Sequence, residues 1–278
     1  MAQYGNVIFI VWRESVEALL VVGILNAWLT QQGERSGARR GRYYLFGGVI
    51  AGLLVAAFLG ALLMYFSDVL SDEDQQIYET AMVLVAAGLI VQMVFWMRKH
   101  GRTLKRELES ALQTQADRSH WWGVFVLAAI AVAREGSETV VFLAGTISAA
   151  THAALAATIA AALAGFALAL ASYAILQLGG KVFSWKVFFR FTEIMLLFLA
   201  ASLLIAGVDN LIGLGWIPAL SGRLWNTSSL VPDTGMIGGL LVSLVGYRAE
   251  PDLIEVLTYA GYWGIMVWLL SRQSPKRV

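Results

Sequence analysis

Long apolar runs separated by short charged segments dominate the pattern of hydrophobic and polar positions along the chain. A membrane-spanning helix needs about 20 mostly apolar residues. Runs of this length occupy residues 4–29, 43–66, 78–97, 122–145, 153–178, 191–213 and 252–271. A further apolar run, 235–246, is too short to span and is typical of an interfacial or re-entrant piece. We therefore predict an all-α polytopic membrane protein with seven transmembrane helices.

The composition supports a membrane protein and argues against several enzyme classes. Of 278 residues, 58% are hydrophobic and 14% charged, whereas soluble domains are about 45–50% apolar and about 25% charged. The chain has no cysteine, which excludes disulfides and thiolate metal sites. It carries no phosphate-binding loop, no His-Glu-x-x-His helix and no Gly-x-Ser-x-Gly elbow. We expect a protein that contacts lipids, binds no nucleic acid and is not an enzyme.

The basic residues define an orientation. Most lie in alternate connections, at 31–42, 98–120 and 179–190, and in the tail after residue 271. Lysine and arginine concentrate on the cytoplasmic side of membrane proteins. The N-terminus is therefore predicted outside and the C-terminus inside, which is also the arrangement that seven spans require. We expect a multi-pass protein of the plasma membrane.

A charged motif occurs twice inside the apolar runs. It reads Arg-Glu-Ser-Val-Glu at 13–17 and Arg-Glu-Gly-Ser-Glu at 134–138. One charged residue at the centre of a spanning helix costs roughly 2.5–3.5 kcal/mol on insertion scales. Ionisable groups at this depth are by default read as part of an ion pathway. The doubled motif therefore indicates transport.

The two copies also predict an internal repeat. They lie on the first and fourth predicted helices, which cross the membrane in opposite directions. Residues 1–97 and 122–213 would thus form a 3+3 inverted repeat, a plan in which transporters bind substrate near the midplane. The remainder of the single membrane domain, 1–278, would be an outer segment, 214–251, and a seventh helix, 252–271.

The spacing of the motif predicts a cation site. Residues three apart share a helix face, so the two glutamates of each copy point together, and the arginine four residues before the second glutamate can brace it. The predicted metal ligands are Glu14, Glu17, Glu135 and Glu138, and the bracing residues are Arg13 and Arg134. An oxygen-only ligand set suits a hard cation. A structural Arg–Glu network that locks helix packing is the alternative, and the symmetric duplication favours transport.

Two further acidic residues are candidates for the ion path. Glu79 opens the third predicted helix, and Asp209 lies near the outer end of the sixth. Both are at the predicted outer side of the membrane, where an incoming cation would arrive. Acidic side chains at helix ends are also common without such a role.

The doubled motif in a seven-helix chain resembles the oxidase-dependent iron permease family, and the resemblance covers essentially the whole chain. That family usually has Arg-Glu-Gly-x-Glu, which the second copy matches, whereas the first has Ser15 in place of glycine. Glu79 and the stretch 246–257 also resemble the family. The compact size resembles bacterial members, which implies the bacterial inner membrane.

The resemblance implies iron uptake. Fe(III) produced by a partner oxidase outside the cytoplasm would pass through the paired glutamates, with iron as transported substrate and no permanently bound cofactor. An extracytoplasmic iron-delivery protein is the alternative partner. Two alternatives stay open: a permease for another divalent or heavy metal cation, such as the lead that the resemblance to the family also allows, and a proton-coupled transporter of an organic cation. An intramembrane enzyme is disfavoured because only Ser15 and Ser137 lie near the carboxylates, without a base to activate them.

Overall fold

The described part of the chain is helical. The computed structural model describes residues 2–31, 38–100, 121–147, 152–178, 185–218, 220, 222–233 and 235–273. The helices found there are α1 (Ala2–Gln31), α2 (Ala38–Val69), α3 (Asp72–His100), α4 (Trp122–Ile147), α5 (His152–Leu178), α6 (Trp185–Gly213), α7 (Met236–Val245) and α8 (Leu253–Gln273). No strand occurs among these residues, so the prediction of an all-α protein is confirmed for them.

Helix length and composition fit a polytopic membrane protein. Five helices, α2, α3, α5, α6 and α8, are long and apolar enough to cross a membrane. The other two long helices, α1 and α4, have 30 and 26 residues and carry the charged motifs. α7 has ten residues, and at 1.5 Å per residue it is about 15 Å long, half the thickness of a hydrocarbon core.

Two pairs of helices pack closely along glycine and alanine positions. α2 approaches α4 where a Cβ on Gly52 would lie 2.8 Å from the Ala129 carbonyl oxygen. α5 approaches α1 where a Cβ on Gly165 would lie 2.6 Å from the Ile8 carbonyl oxygen. One turn along α1, the Trp12 indole nitrogen donates a 2.9 Å hydrogen bond to Ser172 Oγ. Small residues permit these contacts because the backbones can approach without a side chain between them.

α3 and α6 form the third close pair and run antiparallel. Arg98 near the end of α3 is ion-paired with Glu193 near the start of α6, and Leu84 packs where a Cβ on Gly207 would lie. The largest buried apolar cluster joins these two helices to α1, α4 and α8. α3 also contacts α4, and α4 contacts α1. The motif helices therefore lie in the packed interior, beside α3.

The segment between α6 and α8 is folded onto the helices. α7 ends at Val245 and is capped by Gly246, whose φ of 76° lies in the left-handed region that glycine adopts readily. Carbonyl groups at this end accept hydrogen bonds from other helices: Ser202 Oγ donates to Val242, Asn6 to Ser243 and Tyr259 to Val245. The end of α7 is thereby held by α1, α6 and α8.

Candidate functional site: a buried carboxylate cluster between α1 and α4

The first motif forms a compact ion-paired group on α1. Arg13 Nη1 lies 2.6 Å from Glu14 Oε1, and Arg13 Nη2 lies 2.5 Å from Glu17 Oε1. The Arg13–Glu17 contact spans i to i+4, the helical spacing at which side chains meet. Arg13 is 0% exposed and Glu14 2% exposed. The arginine thus holds both glutamates, whereas the sequence predicted a contact with the second alone.

α3 encloses the other side of Arg13. The same two terminal nitrogens lie 2.8 Å from Met93 Sδ and 2.9 Å from Met97 Sδ. Met93 and Met97 are four residues apart on α3, so their thioethers emerge on one face. A thioether is a weak acceptor, and it shields the guanidinium without neutralising it. Arg13 therefore keeps its charge for the two glutamates.

The second motif is more open. Arg134 Nε lies 3.1 Å from Glu138 Oε1, the i to i+4 contact that the spacing predicted. The Arg134 side chain is 36% exposed and that of Glu138 is 16% exposed. On its other side, Arg134 stacks on Trp96 of α3, with Cζ 4.1 Å from the ring centroid. The two motifs share a sequence pattern but differ in burial.

Three carboxylates from two helices meet at the centre of the site. Glu14, Glu17 and Glu135 each contribute an oxygen, and these three oxygens lie within 4.8 Å of one another. Glu138 lies beside the group, close enough to interact electrostatically with all three. Within the described residues, Glu14 Oε2, Glu135 Oε2 and Glu138 Oε2 are buried without a hydrogen-bond partner. Buried acceptors of this kind are costly unless a cation or donor reaches them.

The charge of the site favours a hard cation. Four glutamates and two arginines leave two negative charges in excess when all six side chains are ionised. The three clustered oxygens belong to carboxylates, the donor type of hard metal ions. The methionine sulfurs are directed to Arg13. A bound cation would compensate charge that the two arginines leave unbalanced.

A cavity of about 330 Å³ reaches the second motif. It is lined by Leu89, Gln92, Met93, Trp96, Arg134 and Glu138. The lining comes from α3 and α4 only, so the cavity lies between these two helices. The exposed parts of Arg134 and Glu138 face this space, whereas Arg13 is sealed from it by its complete burial.

The motifs also differ at their third position. A Cβ on Gly136 would lie 2.6 Å from the Cβ of Ala56 on α2, too close for any side chain without a shift. Glycine in the second copy therefore serves the close packing of α4 on α2. The first copy has the partly buried Ser15 at this position.

The two remaining predicted ligands lie away from the cluster. Glu79 is fourteen residues before Met93 on α3, about 20 Å along the axis, and it accepts a 3.5 Å hydrogen bond from Gln75. Asp209 is ion-paired with Arg248, which also lies 3.3 Å from Glu255. The structure does not bring either residue to the three carboxylates, and their role as iron ligands stays a prediction.

The contribution of α3 was missed in the sequence. Met93, Trp96 and Met97 share one face by their i, i+3, i+4 spacing, but such an apolar stripe is typical of any packed helix. Gln92, beside them, lines the cavity. No local pattern ties these residues to arginines about 40 and 80 positions away.

Comparisons with known proteins point in one direction. Residues 6–271 match the family described as the iron permease FTR1 family. The protein named ferrous iron permease EfeU of Escherichia coli O6:H1 strain CFT073 is 27% identical over 257 residues, which cover 91% of this chain and 90% of that protein. The protein of the same name in Yersinia pestis is 28% identical, over 91% and 88% of the two chains. No solved structure matches.

Proposed function

The chain belongs to the iron permease FTR1 family, and from this premise we propose that iron crosses the membrane into the cytoplasm through its two Arg-Glu-x-x-Glu motifs. Membership makes the protein an iron transporter of the membrane and not an enzyme, and the resemblance expected from the motifs is confirmed. The proposal adds the path, with Glu14, Glu17 and Glu135 as the central ligands and Glu138 at the cavity.

The observation that carries the proposal is the meeting of three carboxylates from α1 and α4. Buried like charges repel one another, and a buried ion without a partner costs several kcal/mol. Arg13 serves two of the three glutamates and Arg134 serves Glu138, which leaves Glu135 without an arginine partner among the described ion pairs. A passing cation supplies the missing positive charge.

The proposed architecture has seven spans, six of them in a 3+3 inverted repeat, with the N-terminus outside and the C-terminus inside the bacterial inner membrane. Repeats 1–97 and 122–213 make α1 equivalent to α4 and α2 equivalent to α5. The close pairs α1–α5 and α2–α4 are then equivalent to each other. The segment 214–251 lies outside, and α8 is the seventh span.

The proposal has two versions, which differ in the oxidation state of the transported iron. The resemblance implies Fe(III) handed over by an extracytoplasmic oxidase. The Escherichia coli and Yersinia pestis relatives are named ferrous iron permeases, which favours Fe(II) as the second candidate. The excess of two negative charges at the cluster balances one Fe(II) ion, and carboxylate ligands accept either state.

The arginines hold the carboxylates when no ion is bound. Arg13, sealed between two glutamates and two thioethers, fixes Glu14 and Glu17 in place. Arg134, with one carboxylate and a partly exposed side chain, is the arginine that can yield its glutamate to an arriving ion. In this mechanism the side chains of the first motif, on α1, stay fixed when an ion binds. The Arg134–Glu138 pair of the second motif, on α4, separates to admit the ion.

Uptake of radioactive iron into proteoliposomes tests the path. The purified protein would be supplied with Fe(II) held reduced by ascorbate, or with Fe(III) citrate, beside the variant Glu17→Gln/Glu138→Gln. Glu250→Gln, which alters a glutamate paired with the exposed Arg223, is the matched control. We expect uptake to fall at least tenfold in the double variant and to stay near wild type in the control. Undiminished uptake by a folded double variant would assign the motifs a structural role.

A further inference from the structure

We propose that Trp96 of α3 is a positioning residue that holds Arg134 in the wall of the α3–α4 cavity, so that the Arg134–Glu138 pair acts as the gate to the carboxylate cluster. This inference rests on the proposed function, because it assigns a gate to the same iron path. It also makes the two motifs unequal in role, with one gate on the α4 side.

The first step is the contrast between the two arginines. Arg13 contacts two carboxylates and two thioethers and is 0% exposed, so it has no room to move. Arg134 contacts one carboxylate, at 3.1 Å, and is 36% exposed. Breaking an ion pair at a partly exposed site costs less than breaking a buried one, because the separated charges can be solvated. Of the two, Arg134 is the arginine able to exchange partners.

The second step is the position of the cavity. Arg134 and Glu138 both line it, and Glu138 carries a buried carboxylate oxygen without a hydrogen-bond partner in the described part of the chain. An ion in the cavity therefore meets Glu138 before it meets the other three glutamates. To bind there, it must take Glu138 from Arg134 or share it.

The third step is the role of the ring. A guanidinium over an aromatic face is attracted by the ring quadrupole without losing its charge. The Cζ of Arg134 lies 4.1 Å from the Trp96 centroid, inside the range of about 6 Å for this interaction. When Glu138 turns to an ion, Arg134 keeps a partner and stays at the cavity wall. Without the ring, Arg134 would move further onto the carboxylates and compete with the ion.

The test is the concentration dependence of iron uptake in proteoliposomes, measured with whichever oxidation state the wild-type protein transports. Trp96→Leu removes the ring, and Trp96→Tyr keeps an aromatic face. We expect KM to rise about three- to tenfold in Trp96→Leu with the maximal rate nearly unchanged, and less than threefold in Trp96→Tyr. Trp268→Leu is the matched control, because Trp268 stacks on Arg272 with a similar 3.9 Å separation at the far end of α8.

A double-variant comparison separates positioning from a packing role. If Trp96 acts through Arg134, adding Trp96→Leu to Arg134→Gln leaves KM as it is in Arg134→Gln alone. If Trp96→Leu raises KM equally in the wild type and in Arg134→Gln, the inference is overturned. It is also overturned if Trp96→Tyr and Trp96→Leu raise KM equally. If Trp96→Leu fails to fold, Trp96→Met in both backgrounds decides the same question. If iron uptake is unchanged in Glu17→Gln/Glu138→Gln, the proposed path itself is contradicted.

Discussion

Removal of Arg13 gives the sharpest prediction, because the sequence presents the two motif arginines as equivalent and the structure does not. Arg13→Met would leave Glu14 and Glu17 buried at 2% and 12% side-chain exposure without their cation. Breaking a buried ion pair by removing one partner costs about 3–5 kcal/mol, because the other charge is left uncompensated. The methionine itself would fit beside Met93 and Met97, so cavity formation adds little.

The same change at the second motif should be mild. Arg134 is 36% exposed and has one carboxylate partner at 3.1 Å, and pairs with this degree of exposure contribute about 0–1 kcal/mol. Arg134→Met is therefore the matched control, with identical chemistry in a different environment. The predicted difference in unfolding free energy between the two variants is about 3 kcal/mol.

The assay is thermal unfolding of the purified proteins in one detergent. A loss of 3–5 kcal/mol corresponds to a fall in Tm of roughly 10 °C for a chain of this size, against about 2 °C for Arg134→Met. Adding Glu14→Gln and Glu17→Gln to Arg13→Met should restore most of the Tm, because both carboxylate charges that Arg13→Met leaves uncompensated are then removed. Equal Tm values for the two arginine variants would refute the reasoning.

Two further predictions concern packing and topology. Gly165→Ala should lower Tm, because its Cβ would lie 2.6 Å from the Ile8 carbonyl oxygen. Gly88→Ala, which has open space around it, should raise the unfolding free energy by up to about 1 kcal/mol. A higher Tm for Gly165→Ala than for Gly88→Ala would contradict the α1–α5 contact. The chain has no cysteine, so an impermeant thiol reagent applied to intact cells should label Glu73→Cys and spare Arg39→Cys, and labelling of Arg39→Cys alone would invert the proposed orientation.

Much of the helical framework could be predicted because its cause is local. Apolar runs of spanning length have few alternatives in a membrane, and the structure places a long helix over each of the seven. Their ends extend by one to six residues beyond most predicted spans, as at α2, which runs from Ala38 to Val69 against a predicted 43–66. The polar residues at these ends contribute to the helix without contributing to the apolar run.

The central carboxylates could also be predicted, because helical spacing places the glutamates of each motif on one face. The difference in burial between the two motifs could not be predicted. Whether Arg13 or Arg134 is sealed depends on α3, whose Met93, Trp96 and Met97 contact one arginine or the other across long separations in the chain. The ion pair of Asp209 could not be predicted either. Its position near a helix end suggested a metal ligand, but the fold pairs it with Arg248.

The position of bound iron tests the central claim most directly. Crystals of the protein grown with Fe(II) or Fe(III) would be measured at the iron absorption edge, and the anomalous scattering would locate the metal. The proposed path predicts a peak within bonding distance of the oxygens of Glu14, Glu17 and Glu135, lost in Glu14→Gln/Glu135→Gln. An ordered iron elsewhere, with none at the three carboxylates, would contradict it.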